Sequence, residues 1–472
     1  MAGRHDTTEE IELGDGLSDG MTKVLDASQT QSAHGSQRAL GLQSALASPT
    51  PTLASISECI IFTRQEGNYA PAKQYRVKNS LLAGVGFLEL ANAGDFAANV
   101  WNEIPVPRFA VALMVLGGSI ALAISLWAFK DAKLSRRNIL LLREERRFLR
   151  TQREDHIKNI QLARDTESQL NVNFREMGTE LVDRFGMDIV MGFGAILVGI
   201  GTFMAIGGAN HRVFMASNLL SGYIGNAAVA LYGTVNAAWS AYVWRRAYRH
   251  GVAGSKELKG DIIEGTLKRR IRSVKTHAAI NGVTGTIAGA ASLITATKWW
   301  GYPILVPCIV SSILCNYMWR HKIGYDRPLV RHPLNVDKIS LIEELKFVTS
   351  ARHILQRAPL DSLPKLISDP VTLHSVVQFL FKEDLFEDFC IRLLQDASLS
   401  TSLFGPSEEE LTIDTEALLR SDKLFVPRLL EIAQTTVGEK GPTQFKYRER
   451  YLLEALGCYL CTFRSETVVE KS

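Results

Sequence analysis

The most informative absence in this sequence is charge. Ile189 to Ala209 contains no charged side chain, and neither does Val213 to Trp244; only Asn210, His211 and Arg212 separate the two runs. Each run exceeds the ~20 apolar residues that a helix rising about 1.5 Å per residue needs to cross a bilayer. Backbone groups in lipid must satisfy one another, so these runs predict helices and not strands, paired as a hairpin with its tip just outside the membrane.

Cysteine is also scarce. Of Cys59, Cys308, Cys315, Cys390, Cys458 and Cys461, two lie inside an apolar run and none in a short turn, which argues against a disulfide framework. A formal net charge of +4 over 472 residues is too small to suggest a nucleic-acid partner. The opening residues MAGRHDTTEEIELGDG are acidic and have no apolar core, so no cleavable signal peptide is expected. There is no glycine-rich phosphate loop, no HExxH, no GxSxG and no paired CxxC. Cys458-x-x-Cys461 stands alone in an apolar helical stretch, where cysteines at i and i+3 fill a helix face. The expectation is a non-enzymatic protein with no catalytic residue, no cofactor and no metal site.

What is present divides the chain. Residues 1–78, rich in Ser, Thr, Ala, Gln and Gly, read as a disordered cytosolic tail, in which Ser48-Pro49 and Thr50-Pro51 have the form of proline-directed phosphorylation sites. Residues 79–129 predict a first membrane hairpin: Asn79 to Trp101, a turn broken by Pro105 and Pro107, then the uncharged Phe109 to Phe129. Residues 187–244 predict the second, and residues 277–319 the third, turning at Lys298 to Pro303. Within the second helices Arg108-x8-Gly117-Gly118-x-Ile120 aligns with Arg212-x8-Ser221-Gly222-x-Ile224, and Tyr302-x8-Ser311-Ser312-Ile313 follows loosely, a weak threefold repeat. The predicted fold is all-α: a polytopic membrane bundle of six spans in three hairpins, with a small helical cytosolic C-terminal domain.

Lys and Arg crowd residues 130–186 and 245–276 and are nearly missing from the turns at 102–107, 210–212 and 298–303. Positive-inside bias then places both linkers and both termini in the cytosol. If Asn79–Trp101 did not cross, five spans and an exoplasmic amino terminus would follow. The first linker carries Ile139, Leu142, Leu149, Ile157 and Ile160 among dense mixed charge and predicts one long charged cytosolic helix, able to pair with another helix. In the second, Leu258, Ile262, Ile263, Leu267, Ile271 and Val274 form a stripe, with Lys268, Arg269, Arg270, Arg272 and Lys275 on the remainder. A basic amphipathic helix beside a span suits anionic headgroups, each basic residue adding about 1 kcal/mol. The plainer alternative is charge that only fixes topology. Residues 320–333 form a proline-containing linker, and residues 334–472 the helical domain, broken at Pro370, Gly405-Pro406, Pro427 and Gly438 to Pro442; no alternating strand pattern stands out.

The candidate intramembrane polar residues are Glu89 and Asp95, with Asn218 and Asn226 among the asparagines able to partner them. Six residues apart on a helix, Glu89 and Asp95 differ by about 240° and do not share a face. They either mark a boundary or re-entrant helix, or form an ion or proton site.

Leu363-Pro364-Lys365-Leu366-Ile367-Ser368-Asp369-Pro370, then Phe379-Leu380-Phe381-Lys382-Glu383 and Glu387-Asp388-Phe389, resembles the opening half of regulator-of-G-protein-signalling domains. That resemblance implies an all-helical module that binds a Gα switch region. The chain departs from the pattern at Asp388, where the family has Asn, and at Arg392, where it has Trp. The layout as a whole is similar to that of uncharacterised multi-pass fungal membrane proteins, with no single motif carrying the likeness. The leading functional expectation is a multi-pass membrane protein presenting cytosolic helices to protein partners and anionic lipid. The alternatives are a small-solute or ion transporter using Glu89 or Asp95, and a membrane-tethered G-protein regulator.

Overall fold

The computed structural model describes residues 59–65, 68–101, 105–155, 160–330, 338–359, 362–367, 369–405 and 409–469. The phosphorylation-like dipeptides at 48–51 fall outside them. Long helices dominate the described residues. Pro107 closes a turn, and α3 (Arg108–Asp155) starts directly after it and runs for 48 residues, about 72 Å. That is more than twice the ~30 Å hydrocarbon thickness of a bilayer, so an apolar first half continues without a break into a charged second half. The same holds for α4 (Ile160–Thr179), which passes through a π-helical turn at Glu180–Gly186 into α5 (Met187–Ala205). It holds again for α6 (His211–Asn218), a second π turn at Leu219–Gly225, and α7 (Asn226–Glu257). Helix α8 (Ile262–Thr295) returns to the bundle, and α9 (Gly301–Met318) ends in a third π turn, Trp319–Ile323.

Among the described residues, five helices are long and apolar enough to cross a membrane: Arg108–Glu154, Asp165–Ala205, His211–Glu257, Ile262–Thr295 and Gly301–Ile323. Their outer surfaces are apolar. Leu126 is 70% and Leu231 71% exposed, while Gly117 and Gly233 face inward. This inversion of the usual pattern suits association with lipid rather than water. The expected first span differs. Residues 79–101 form no single helix but a 3₁₀ turn at Ala83–Phe87, a short α1 (Leu88–Ala91), a turn at 92–95, and a short α2 (Phe96–Val100). The segment nevertheless lies along α3: Leu82 N–H donates to Asp131 (2.8 Å), a Cβ at Gly84 would meet the Trp127 ring, Gly94 abuts Gly117, and Trp101 stacks edge-on with Phe109. It therefore covers the depth from Asp131 to Phe109, about 33 Å of helix.

Small residues set the spacing of the bundle. A Cβ at Gly233 would sit 2.5 Å from the Gly285 carbonyl oxygen, so α7 and α8 touch backbone to backbone. The repeat read from the sequence has a spatial counterpart. Gly117 meets Gly94 and Ser221 meets Gly201, each inside its own hairpin; Gly118 meets Gly199 and Gly222 meets Ala296, each in the next. Ile313, in the third copy, lies against Gly86 of the first. The three units thus close into a ring.

The charged linkers are helical hairpins rather than free helices. The 130–186 linker is the antiparallel pair of α3 and α4, with Ile139, Leu142 and Leu149 buried, and Ile157 outside the described residues. The 245–276 linker is the tip of α7 and α8. There Gly260 adopts φ +86°, and Asp261 caps α8 by accepting from Ile263 N–H at 3.0 Å. Much of its stripe is already covered: Leu258, Ile263 and Leu267 belong to the same core as Leu341 and Leu345 of α10 (Lys338–Arg357), while Ile262 stays 79% exposed.

That core defines the head. Beyond α10 it comprises α11 (Leu363–Leu366), α12 (Leu373–Lys382), α13 (Phe386–Gln395), α14 (Ala397–Phe404), α15 (Thr415–Leu419) and α16 (Val426–Val469). Helix α16 runs unbroken through Pro442, where Gly438–Pro442 predicts a break. The bend that proline costs is opposed by close packing, for Gly438 lies against the Pro359 carbonyl and Gly441 against Leu355. The head also contains strands that the sequence pattern does not announce. β1 (Cys59–Gln65) pairs antiparallel with β2 (Asn68–Pro71) and with β5 (Glu410–Asp414), while β3 (Arg76–Val77) pairs with β4 (Arg327–Pro328). Residues 59–65 and 68–77, expected in the tail, are thus part of the head, and the head is not confined to 334–472. Phe62 is fully buried in its core. Replacing it, Phe62→Ala, is expected to cost about 3–5 kcal/mol, seen as a lower thermal midpoint of the detergent-solubilised protein; an unchanged midpoint would show that β1 does not contribute to the core.

Candidate functional site

The sequence candidates do not assemble into one site. Asp95, at the end of the 92–95 turn, is fully buried. Its Oδ1 accepts from the Tyr302 hydroxyl at 2.9 Å and its Oδ2 from Asn99 Nδ2 at 3.0 Å, while Asn99 Nδ2 also reaches the Tyr302 oxygen at 2.7 Å. Glu89 is half-buried and accepts from Asn92 at 2.8 Å. Asn226 is fully buried without a hydrogen-bond partner, and Asn218 Oδ1 is likewise unpaired; neither is hydrogen-bonded to either carboxylate. Asn281 instead bonds Asn236 (3.1 Å), and Asn316 donates to the Leu82 carbonyl (3.0 Å).

The basic residues separate as well. Arg269 and Arg272 are exposed, and Lys268 is exposed but paired with Glu264 at 2.6 Å. Lys275 Nζ lies 4.6 Å from the Trp244 ring centre and 5.1 Å from that of Tyr248. Arg270 turns inward and donates to the Lys322 (2.7 Å) and Ile323 (3.1 Å) carbonyls.

The densest chemistry lies where the bundle meets the head, on residues the sequence reading took for linker charge. On α3, Asp131, Ser135, Asn138 and Glu145 follow helical spacing, and all are buried. Arg184, in the first π turn, is the largest fully buried side chain among the described residues. Its Nη2 is 2.9 Å from Asp131 Oδ2, its Nη1 is 3.0 Å from Glu180 Oε2, and Nη2 also reaches Ser80 Oγ at 3.2 Å. Glu180 accepts further bonds from Ser135 (2.7 Å), Asn138 (3.0 Å) and Tyr325 (2.8 Å). Arg327 forms a fork onto Glu145 (2.7 and 2.8 Å) and reaches Glu176 at 2.6 Å, with its guanidinium over the Tyr451 ring. Asp188, just past the π turn, is fully buried beside the Asp131 carboxylate. A π turn supplies the extra residue that re-aims such side chains, and such turns often mark functional positions.

Beside this network is a cavity of about 40 Å³, lined by Arg175 of α4, Arg246 and His250 of α7, Arg270 and His277 of α8, and Glu454 of α16. Glu454 Oε1 lies 3.4 Å from Arg175 Nε and 3.3 Å from Arg246 Nε. Burial alone would raise its pKa, but the Arg175 and Arg246 guanidiniums outweigh burial and hold it well below the usual carboxylate range. Arg246 also donates to Cys458 Sγ at 2.9 Å, and burial pushes that thiol up to about 12. The CxxC cysteine therefore packs as a neutral group against the cavity wall. The overlooked signal was polar residues at helical spacing within a charged linker: 131, 135, 138 and 145 on one helix, and 169, 173, 176 and 180 on its partner.

Comparison with protein-family models, with curated proteins and with solved structures finds no match for this chain. Fold and site together define a predominantly helical protein of the membrane-associating class, with five membrane-length helices and a buried ionic junction beneath a helical head.

The junction makes a direct prediction. Arg327→Ala would leave Glu145 and Glu176 buried without their counter-charge and is expected to destabilise the protein by about 3–5 kcal/mol. Arg327→Lys should recover only part of this, since an ammonium cannot form the two-pronged contact. Thermal unfolding of the solubilised variants reads both, and full recovery by lysine would contradict the geometric account.

Proposed function

We propose that this protein crosses the membrane six times, as three hairpins with both termini in the cytosol, and acts without catalysis as a scaffold. In this reading the head presents helical surfaces to cytosolic proteins, and the exposed Lys268, Arg269 and Arg272 face anionic lipid. The observation that carries it is the continuity of bundle and head. Among the described residues four helical runs pass from one into the other, residues 59–472 form one compact unit, and the ionic junction ties them together. A head mounted this way holds a set attitude to the membrane, which suits display better than tethering. The sixth crossing is supported by the run of residues 79–101 along α3 from Asp131 to Phe109. Its irregular backbone is of the kind tolerated at membrane depth where protein surrounds it.

Topology is tested by labelling introduced cysteines with a membrane-impermeant reagent, in a background with Cys59→Ser and Cys461→Ser, which leaves only buried native thiols among the described residues. Asn210→Cys and Trp300→Cys should react from outside, and Ser28→Cys only after permeabilisation. Reaction of Ser28→Cys in intact cells would remove the sixth crossing.

One observation favours the transport alternative. Asp95, Asn99 and Tyr302 form a polar chain at an unwound turn of the bundle, and transporters place ion sites at such interruptions. Asp95→Asn keeps the shape but cannot titrate. The scaffold reading expects the variant to insert normally and to keep the wild-type set of proximity-labelled partners. The transport reading expects a proton- or cation-driven flux in reconstituted vesicles that this variant loses. No comparable observation favours the G-protein reading: Asp388 lies 3.9 Å from Lys440, and Arg392 pairs with Glu439, both on α16.

A further inference from the structure

Three guanidiniums, from Arg175, Arg246 and Arg270, line one cavity of about 40 Å³. The carboxylates lining it are Glu454 and Asp183. Glu454 is shared between Arg175 and Arg246. Arg270 has no carboxylate within ion-pair distance among the described residues; backbone carbonyls alone take its Nη hydrogens. The Arg270 Nε is buried and without a hydrogen-bond partner, whereas the Nε atoms of Arg175, whose side chain is only 7% exposed, and of Arg246 both face Glu454. The other nearby charges are already engaged, Glu176 with Arg327 and, at 3.7 Å, with Arg175, and Arg450 with the Gly324 and His321 carbonyls. His250 and His277 complete the wall. Arg270 is half-buried, and a cation drawn away from water without a counter-charge, with its buried Nε unmatched, is costly.

Guanidiniums bind tetrahedral oxyanions through paired, charge-assisted hydrogen bonds. At roughly 10–15 Å³ per water, the cavity holds about three waters' worth of volume, the scale of one oxyanion and too small for a nucleotide. Its height in the molecule is also informative. Val243, Arg246 and Ala247 on α7, and Val274 and His277 on α8, line the cavity on the same turns that carry Trp244, Tyr248 and Lys275 outward. Trp244 is 40% and Tyr248 50% exposed, and Trp, Tyr and Lys clusters belong at the headgroup level of a membrane.

We propose that this cavity binds a phosphate group, supplied by an anionic phospholipid headgroup at the level of Trp244 and Tyr248, with free inorganic phosphate as the other source of the same chemistry. The lipid source rests on the membrane reading above; the phosphate chemistry does not. Arg270 provides the charge that the fold leaves unmatched, and Arg175 and Arg246 provide further donors held in place by Glu454.

The test uses the full-length protein in a phosphate-free detergent. Its thermal midpoint is followed against inorganic phosphate, with chloride at matched ionic strength as control. A second arm uses nanodiscs of phosphatidylcholine with and without phosphatidic acid. A saturable rise in midpoint is expected with phosphatidic acid, with inorganic phosphate, or with both. In Arg270→Gln the half-saturating concentration should rise about ten-fold or more, the loss of one charge-assisted contact. A rise with phosphatidic acid alone assigns the headgroup; a rise with inorganic phosphate alone keeps the site and removes the lipid. No saturable rise in either arm, a rise matched by chloride, or an unchanged half-saturation in Arg270→Gln overturns the proposal. If Arg270→Gln does not fold, Arg270→Lys decides, since it keeps the charge without the fork: a several-fold weaker response is expected, and an unchanged one overturns the site. Should the labelling experiment fail while the phosphate response persists, the six-span reading falls and the anion site stands.

Discussion

Arg184 is the contact on which the rest of this structure depends. A guanidinium with almost no solvent exposure costs several kcal/mol to bury, and persists only if its charge and its donors are met. Here Asp131 and Glu180 supply the charge, and Ser80 takes a further hydrogen bond. Each of those partners stands in a different part of the chain: α3, the π turn itself, and the entry to the 79–101 segment. Asp131 then holds the Leu82 amide, and Asn138 holds both backbone groups of Lys78. The irregular 79–101 segment is therefore positioned by a polar clamp at its head end rather than by helical hydrogen bonds of its own.

The Arg327 cluster repeats the arrangement further into the head. Glu145 lies on the same face of α3 as Asp131, and Glu176 on the same face of α4 as Glu180, so the α3–α4 pair carries two ionic layers in register. Between them α3 contributes the buried Leu142. Within the bundle, charge gives way to glycine and serine contacts that let backbones touch, which is how helices associate when the surroundings are as apolar as their side chains. The molecule thus changes its cohesive interaction along its length: close packing in the bundle, satisfied ion pairs at the junction, and an ordinary apolar core in the head.

A large part of this was readable from residues alone. The charge-free runs marked the second and third hairpins and Phe109–Phe129, and the small-residue repeat corresponded to real contacts. The reading failed where a residue's partner lies far away in the chain. Cys59–Gln65 is a strand because Glu410–Asp414 lies beside it. Arg270 looked like one more headgroup-facing cation, yet it points inward because Lys322 and Ile323 offer carbonyls there. Leu258, Ile263 and Leu267 read as membrane-seeking, and the head covers them instead, leaving Ile262 of that stripe exposed. Pro442 read as a break, but packing against Pro359 and Leu355 on its flanks keeps the helix whole.

The sequence by itself determined which segments are long apolar helices, because hydropathy is local and a run of some twenty uncharged residues has few stable alternatives in lipid. It also determined that residues 79–101 would be unusual, since two carboxylates and three glycines lie in them. Only the tertiary structure decided which charges were buried. A charged side chain in a linker reads the same whether it faces water or a counter-ion, and the difference rests on partners 50 to 200 residues away. The ionic junction and the arginine-lined cavity exist only once the chain has folded.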